Sequence, residues 1–249
     1  MIKVEKIETY GWEAAIRGMR NPMNSWDKSD SYYGCEDIRC YDCQFIDRCT
    51  TKFPYAHYEI GVNDLALMKK LAHAGSDHRK FLRQIVVSMD ITAPLYWWKE
   101  FDTYKVGTVA NSCSTMHKIH AKEFTLDDFS HDHLGYHGDP NDVSFSVHCA
   151  NSNSDDDLVD YFDDESVLEL VIEALNHCRD LYIKAKDKRF WYKMIQLLPS
   201  SYNQLRTVTL NYEVLLNMYN ARKDHKLDEW RELCDIIEDL PYFKEVCIE

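Results

Sequence analysis

Apolar residues recur along this chain with two periods, close to two in some stretches and close to 3.6 in others, and these divide it into strands and helices. The opening IKVEKIETY alternates and predicts a strand, after which GWEAAIRGMRNPMN predicts a short helix that stops at Asn21-Pro22. The polar stretch SWDKSDSYYG leads into CEDIRCYDCQFIDRC, which carries neither period and reads as a loop inserted between regular elements. Asn63-Asp64 is a suitable cap for a helix through LALMKKLAHAG, with Leu65, Met68 and Leu71 to Ala72 on one face and Gly75 as its stop. The amphipathic HRKFLRQIVVSMDI then runs into ITAPLYWWKEF. Pro94 cannot continue a helix, so a strand is expected over Ile85 to Thr92 and a new helix over Leu95 to Lys105.

From Phe124 to Asp164 the chain is acidic and rich in histidine, with loop signals on either side of a strand-like VSFSVH, and it reads as an excursion from the core. Helical spacing returns over Glu165 to Lys188 and in RFWYKMIQLL, which ends at Pro199. The last strong elements are Val208 to Ala221 and, after KDHK, LDEWRELCDIIEDL. Strands mixed with helices define an α/β (α+β) fold class.

Composition narrows the function more than the fold. A chain of 249 residues with 45% hydrophobic content suits one large domain with its own core. The apolar runs fall short of the roughly 20 residues that span a bilayer, and the start lacks the pattern of an export signal, so a cytoplasmic protein without a membrane partner is expected. The net charge of −13 argues against broad contact with nucleic acid, while local cations can still hold a small anion. Without an export signal the nine cysteines read as reduced thiols or metal ligands rather than disulfides.

Four of them, Cys35, Cys40, Cys43 and Cys49, form CxxxxCxxCxxxxxC in the aperiodic loop. Four thiolates can hold zinc or an iron-sulfur cluster, and a segment without an apolar period gains most from such a staple. Free thiols or an occasional redox disulfide are the alternative. His131, His133 and His137 with Asp139 also have spacing compatible with zinc, but an acidic, histidine-bearing surface loop is the commoner origin of such an array.

Two further segments concentrate ligand chemistry. APLYWWKEFDTYKVGTVANSCSTMHKI interleaves aromatics, small polar residues and cations, and Asn111 to Thr115 offers an amide, hydroxyls and a thiol in succession, suited to phosphate or carbonyl oxygens or to a loop that satisfies its own backbone. In LPSSYNQLRTVTLNYEVLLNMYNARKDHKLDEW, Asn211, Asn217 and Arg222 sit on or beside one helix. Helical geometry would put Asn211 and Arg222 about 20° apart and Asn217 about 120° to 140° from both.

Together these segments resemble the flavin-dependent thymidylate synthases, whose central motif is RHRxxSxNExSxRY and whose C-terminal signature is an LP dipeptide leading to a helix with Asn, Asn and Arg. Leu198-Pro199, Asn211, Asn217 and Arg222 fall at the family's spacing, and Ala93-Pro94 matches an Ala-Pro that commonly precedes the central motif. The resemblance implies a thymidylate synthase-complementing-protein-like fold, a mostly antiparallel central sheet with helices, to which the cysteine-rich loop is an insertion. It implies FAD positioned by Asn211 and Asn217, with His78 beside it, and phosphate held by Arg222 and Lys105. Ser112, Ser114 and Thr115 would cradle a pyrimidine nucleotide such as deoxyuridine monophosphate. The implied reaction moves a one-carbon unit from methylene-tetrahydrofolate to the pyrimidine C5 with NADPH as reductant, in a homotetramer whose flavin pockets are shared between subunits.

The central motif departs from the family at its chemistry. Thr103-Tyr104-Lys105 stands where Arg-His-Arg is expected, Cys113 replaces the serine, Thr115 the arginine after it, and Asn111 the glutamate. Ile195 meets another nucleotide-binding arginine, with Lys193 nearby. Lysine supplies a point charge but not the planar fork of arginine. Cys113 reads either as a catalytic thiol or substrate contact, activated by His117 or Lys118, or as a small residue packed in a tight loop. The rival to a synthase is a non-catalytic or re-specialised nucleotide- or flavin-binding protein.

Overall fold

A computed structural model of the chain describes residues 2–33, 58–135, 145–149 and 158–249. In chain order the elements are β1 (Lys3–Tyr10), α1 (Trp12–Arg20), β2 (Tyr32–Tyr33), β3 (Tyr58–Glu59), α2 (Val62–His73), β4 (Val86–Pro94), α3 (Leu95–Phe101), β5 (Val109–Ser112) and α4 (Thr115–Lys118). They continue with β6 (Phe145–Cys149), β7 (Leu158–Phe162), α5 (Asp164–Ala185), α6 (Lys188–Leu197), β8 (Asn203–Asn211), α7 (Tyr212–Arg222) and α8 (Asp228–Glu238). The expected mixed class holds, with a four-stranded sheet in the order β1-β4-β8-β5. β1 pairs antiparallel with β4 and β5 with β8. Ser88 faces Thr209 and Asp90 faces Thr207, so β4 and β8 also run in opposite directions. Among the described residues no helix is long and apolar enough to cross a membrane.

Two compact units emerge. The larger comprises Ile2–Thr92, Lys99–Ser112 and Leu205–Glu249, and the smaller is built chiefly from Ala93–Trp98 and Cys113–Gln204. In the larger unit the strand period is visible in burial, since Val87, Met89 and Ile91 point inward on β4 while the residues between them are half-buried. Helix α1 turns Trp12, Ala15, Ile16 and Met19 to the core, and α8 turns in Trp230, Leu233, Cys234 and Ile237, both at helical spacing. The smaller unit packs Ile119, Phe124, Phe129, Leu168, Ile172, Leu175, Cys178 and Met194 into a core of its own. Phe124 and Phe129 lie within the stretch expected to be an excursion, so its first residues are core. Farther along it, β6 and β7 pair antiparallel from Phe145↔Phe162 to Cys149↔Leu158.

Three expectations change. Asp64 does not cap α2: the residue before the helix is Gly61, the Asp30 carboxylate accepts from the backbone amides of Asn63 and Asp64, and Asp64 is itself fully buried. The helix expected over Leu95 to Lys105 ends at Phe101, leaving Lys105 in a loop. Its first amides are satisfied within the smaller unit, Leu95 donating to the Tyr202 carbonyl and Tyr96 to that of Ser200. The apolar run from Val208 is two elements, because β8 extends to Asn211 before α7 begins. Val208 and Leu210 are buried at the two-residue period of a strand.

Candidate functional site

Helix α7 gathers most of the flavin-site candidates of the larger unit along its length. Asn211 is its N-cap, with extended φ of −130° and ψ of 167°, and the Asn211 side-chain oxygen accepts from the Val214 amide at 3.1 Å. Asn211 therefore lies outside the helix, and the 20° offset from Arg222 expected of two helical residues does not apply. Its amide nitrogen faces Gly107. A Cβ at Gly107 would stand 2.9 Å from Asn211 Nδ2, and its φ of +75° lies in the region that glycine tolerates best.

At the other end, the Arg222 guanidinium donates from Nε to the Tyr104 hydroxyl at 3.0 Å and from Nη1 to Glu100 Oε2 at 2.7 Å. It lies 4.7 Å from the Trp230 ring centroid, and Trp230 Nε1 also donates to Glu100 Oε2. The 103–107 loop thus runs beside α7, with Tyr104 at Arg222 and Gly107 at Asn211. Lys105 is exposed between them and has no ion-pair partner among the described residues. A cleft of about 390 Å³ opens here, lined by Tyr104, Lys105 and Thr108, and Thr108 Oγ1 is buried without a partner among the described residues.

A second group lies on the adjacent face of α7. Glu213 is buried and accepts from Arg79 Nε at 3.3 Å and from both Arg83 Nε and Nη2. The hydrogen bond from Arg83 holds the Glu213 carboxyl below its ordinary range despite burial, with the charges of both arginines adding to the effect. Arg79 also donates to the Asn217 side-chain oxygen at 3.4 Å. Asn217 is exposed, as is His78, which precedes the short helical turn Arg79–Gln84.

The structure therefore brings Asn211, Asn217, Arg222 and Lys105 onto one helix and the loop beside it, with His78 next in sequence to Arg79. Ser112 ends β5 in the larger unit, paired in register with Arg206. Cys113, Ser114 and Thr115 belong to the smaller unit. There Cys113 is an exposed free thiol whose backbone carbonyl accepts from Gln204 Nε2 at 2.8 Å. Ser114 caps the four-residue α4 by accepting from the His117 amide at 3.0 Å, with Thr115 as the first helical residue. The cysteines Cys35, Cys40, Cys43 and Cys49 lie outside the described residues, as do His137 and Asp139. Among the described residues no cluster of three or more His, Cys, Asp or Glu could hold a metal.

Glu100, Arg79, Arg83 and Glu213 are not singled out as site residues by any motif in the sequence. Glu213 carried a usable signal: a carboxylate inside the apolar run YEVLLNMY must find cations when the helix is buried, and HRKFLRQ supplies them.

These features define a chain with the fold of the flavin-dependent thymidylate synthases. Thymidylate synthase X from Helicobacter pylori, solved with FAD and dUMP, superposes over 100% of this chain and 98% of its own, with a TM-score of 0.61 at 15% identity. A second structure of that enzyme, also complexed with FAD and dUMP, gives a TM-score of 0.59 at 16% identity over 98% of both chains. A UMP/dUMP methylase from Streptomyces cacaoi, bound with 5-bromo-dUMP, gives 0.52 at 13% identity over 98% of this chain and 94% of that one. No protein-family model matches the sequence, and no curated protein matches it.

Proposed function

We propose that this protein is a divergent flavin-dependent thymidylate synthase-like enzyme that binds FAD and a pyrimidine nucleotide, deoxyuridine monophosphate or a relative of it. The observation that carries the reading is the course of the 104–107 loop along α7, from Arg222 to Asn211. It joins the two sequence segments that resemble the family within a fold shared over the whole chain.

The residues present fit a flavin nucleotide. Gly107 keeps a side chain out of the space facing Asn211, the Asn217 amide is exposed, and Lys105 and Thr108 offer unpaired donors toward an anion. Bound FAD would supply reversible two-electron chemistry, here serving one-carbon transfer from methylene-tetrahydrofolate to the pyrimidine C5 with NADPH as reductant. On this reading Asn211 and Asn217 orient the flavin, Lys105 and Arg222 attract phosphate, and Ser112 hydrogen-bonds the nucleotide, a role the family resemblance also assigns to Ser114 and Thr115. Cys113 presents a thiol where the family has serine. The exposed apolar Val106 and Val109 flank this loop and support pockets completed by another subunit of a homotetramer.

A second reading has one specific support. Glu100 and Tyr104 already engage the Arg222 guanidinium, so a phosphate must compete for it, as expected of a protein re-specialised toward a less charged ligand. Spectroscopy of the purified protein and a turnover assay separate the readings. Wild type is expected to take up FAD and to form dTMP from dUMP, methylene-tetrahydrofolate and NADPH. Asn217→Ala, at an exposed position, is expected to weaken FAD without unfolding the chain. Failure of wild type to take up FAD would remove the enzyme reading, and uptake without dTMP formation would select the re-specialised protein.

A further inference from the structure

Within the larger unit, the end of α2, helix α7 and the C-terminal residues enclose a cleft of about 380 Å³ that none of the candidate flavin or nucleotide residues lines. That volume lies within the usual range for a small-molecule site. Leu216 and Asn220 of α7, with Lys223 just past its end, form one wall, His73 closes α2 opposite, and Cys247 and Ile248 complete the apolar floor. Cys247 is buried, and burial pushes its thiol up to about 12, so it packs as a neutral apolar group.

In a chain of net charge −13, the polar lining consists of Arg79, His73, Lys223 and Asn220, with the Tyr219 ring beside them and no carboxylate among the lining residues. Two nearby carboxylates have partners already, while the charge of Asp224, next to Lys223, is felt at Tyr219. Glu213 takes Arg79 and Arg83, while Glu238 accepts from the Tyr219 hydroxyl at 2.5 Å and pairs with Lys244 at 3.4 Å. Arg79 makes only long hydrogen bonds, at 3.3 and 3.4 Å, leaving donor capacity on its guanidinium. Lys223 lies 5.8 Å from the Tyr219 ring centroid, and neither it nor His73 has an ion-pair partner among the described residues.

We infer that this cleft is a second ligand site for a small phosphate ester, its phosphate among Arg79, Lys223 and His73 and its organic part against Leu216 and Cys247. The donors match a phosphate, whose oxygens accept charge-assisted hydrogen bonds, and the apolar floor suits a ring. Capture here does not require flavin at Asn211 and Asn217. Arg79 touches Asn217 and also lines the cleft, so occupancy would be felt on that face of α7.

Calorimetric titration of the full chain with adenosine 5′-monophosphate tests this, with adenosine as the uncharged control. AMP is expected to bind more tightly than adenosine. Lys223→Glu and His73→Glu, both at exposed positions, are each expected to weaken AMP by about tenfold while leaving the thermal melt close to that of wild type. The assignment is overturned if AMP does not bind at about 1 mM, if adenosine binds equally well, or if both variants keep the wild-type dissociation constant.

Discussion

Asp64→Asn should be among the most destabilising single substitutions in the larger unit, for reasons that can be counted atom by atom. The Asp64 side chain is 0% exposed and that of its partner Arg20 is 5% exposed. One carboxylate oxygen accepts from Arg20 Nε at 2.6 Å. The other accepts from the hydroxyls of Ser29 and Ser31, both at 2.7 Å, and from the backbone amides of Asp30 and Ser31 at 3.1 Å. Asparagine has a single carbonyl oxygen. If it faces Arg20, its NH2 meets four donors; if it faces the serines, the NH2 meets a buried guanidinium that has lost its counter-charge. Breaking one side of a buried pair costs about 3 to 5 kcal/mol. Asparagine keeps one set of contacts, so about 3 kcal/mol is expected. For a chain of this size that lowers Tm by roughly 6 to 12 °C.

The pH dependence is a second check on the same substitution. Burial pushes the Asp64 carboxyl up, but the hydrogen bonds from Ser29, Ser31 and Arg20, with the Arg20 charge, outweigh it and bring it below the ordinary value. A carboxylate lowered on folding contributes stability that is fully present above its unfolded value and is lost as pH falls through the folded one. Melts followed by circular dichroism should therefore show a constant gap between wild type and D64N from neutral pH down to about 5, closing only below about pH 4. A gap smaller than about 2 °C at neutral pH would refute the account of a buried, fully used carboxylate.

Two site variants have outcomes of opposite sign. Glu100→Gln removes the charge that engages Arg222; because the pair is partly exposed, the guanidinium is released by a modest amount, and calorimetry should find dUMP bound about threefold more tightly than by wild type. Unchanged or weaker binding would mean that Glu100 does not compete with phosphate. Gly107→Ala forces a Cβ to within 2.9 Å of Asn211 Nδ2 at a positive φ, with an expected loss of about 1 to 2 kcal/mol in a thermal melt and weaker FAD uptake. Wild-type stability together with wild-type FAD affinity would contradict the close approach.

What was legible in the sequence was what local periodicity decides. Alternation in IKVEKIETY and the break at Pro94 after VVSMDIT gave strands, and the apolar spacing of LDEWRELCDIIEDL gave a helix, whose Trp230, Leu233 and Ile237 are buried on one face. The junction at Asn211 was misread because Val208 and Leu210 continue apolar positions into a helix, so a change of period fell inside an unbroken apolar run. Only the capping bond to Val214 marks the boundary. Asn211, Asn217 and Arg222 became candidates through the family resemblance, but their partners in the structure were not legible. Glu100 lies 122 residues from Arg222 and Arg83 lies 130 from Glu213, and no local pattern encodes contacts made by packing distant segments.

Those distant partners bear directly on substrate charge. In the larger unit Arg222 pairs with Glu100 and Arg206 with Asp102 at 2.7 Å, while on the adjacent face of α7 Arg79 and Arg83 share the single carboxylate of Glu213. Lys105 alone on the 103–107 loop is a cation without such a partner among the described residues. On the proposed reading, a dianionic phosphate arriving at this loop would gain one unencumbered charge, Lys105, and would have to draw Arg222 from Glu100. If Thr103-Tyr104-Lys105 stands where the family has Arg-His-Arg, as the resemblance implies, the change does more than delete two cations, because Tyr104 ties down through its hydroxyl the arginine at the end of α7. On the proposed reading, discrimination between a nucleotide and its nucleoside would rest on Lys105 and on how readily Glu100, in α3, yields Arg222.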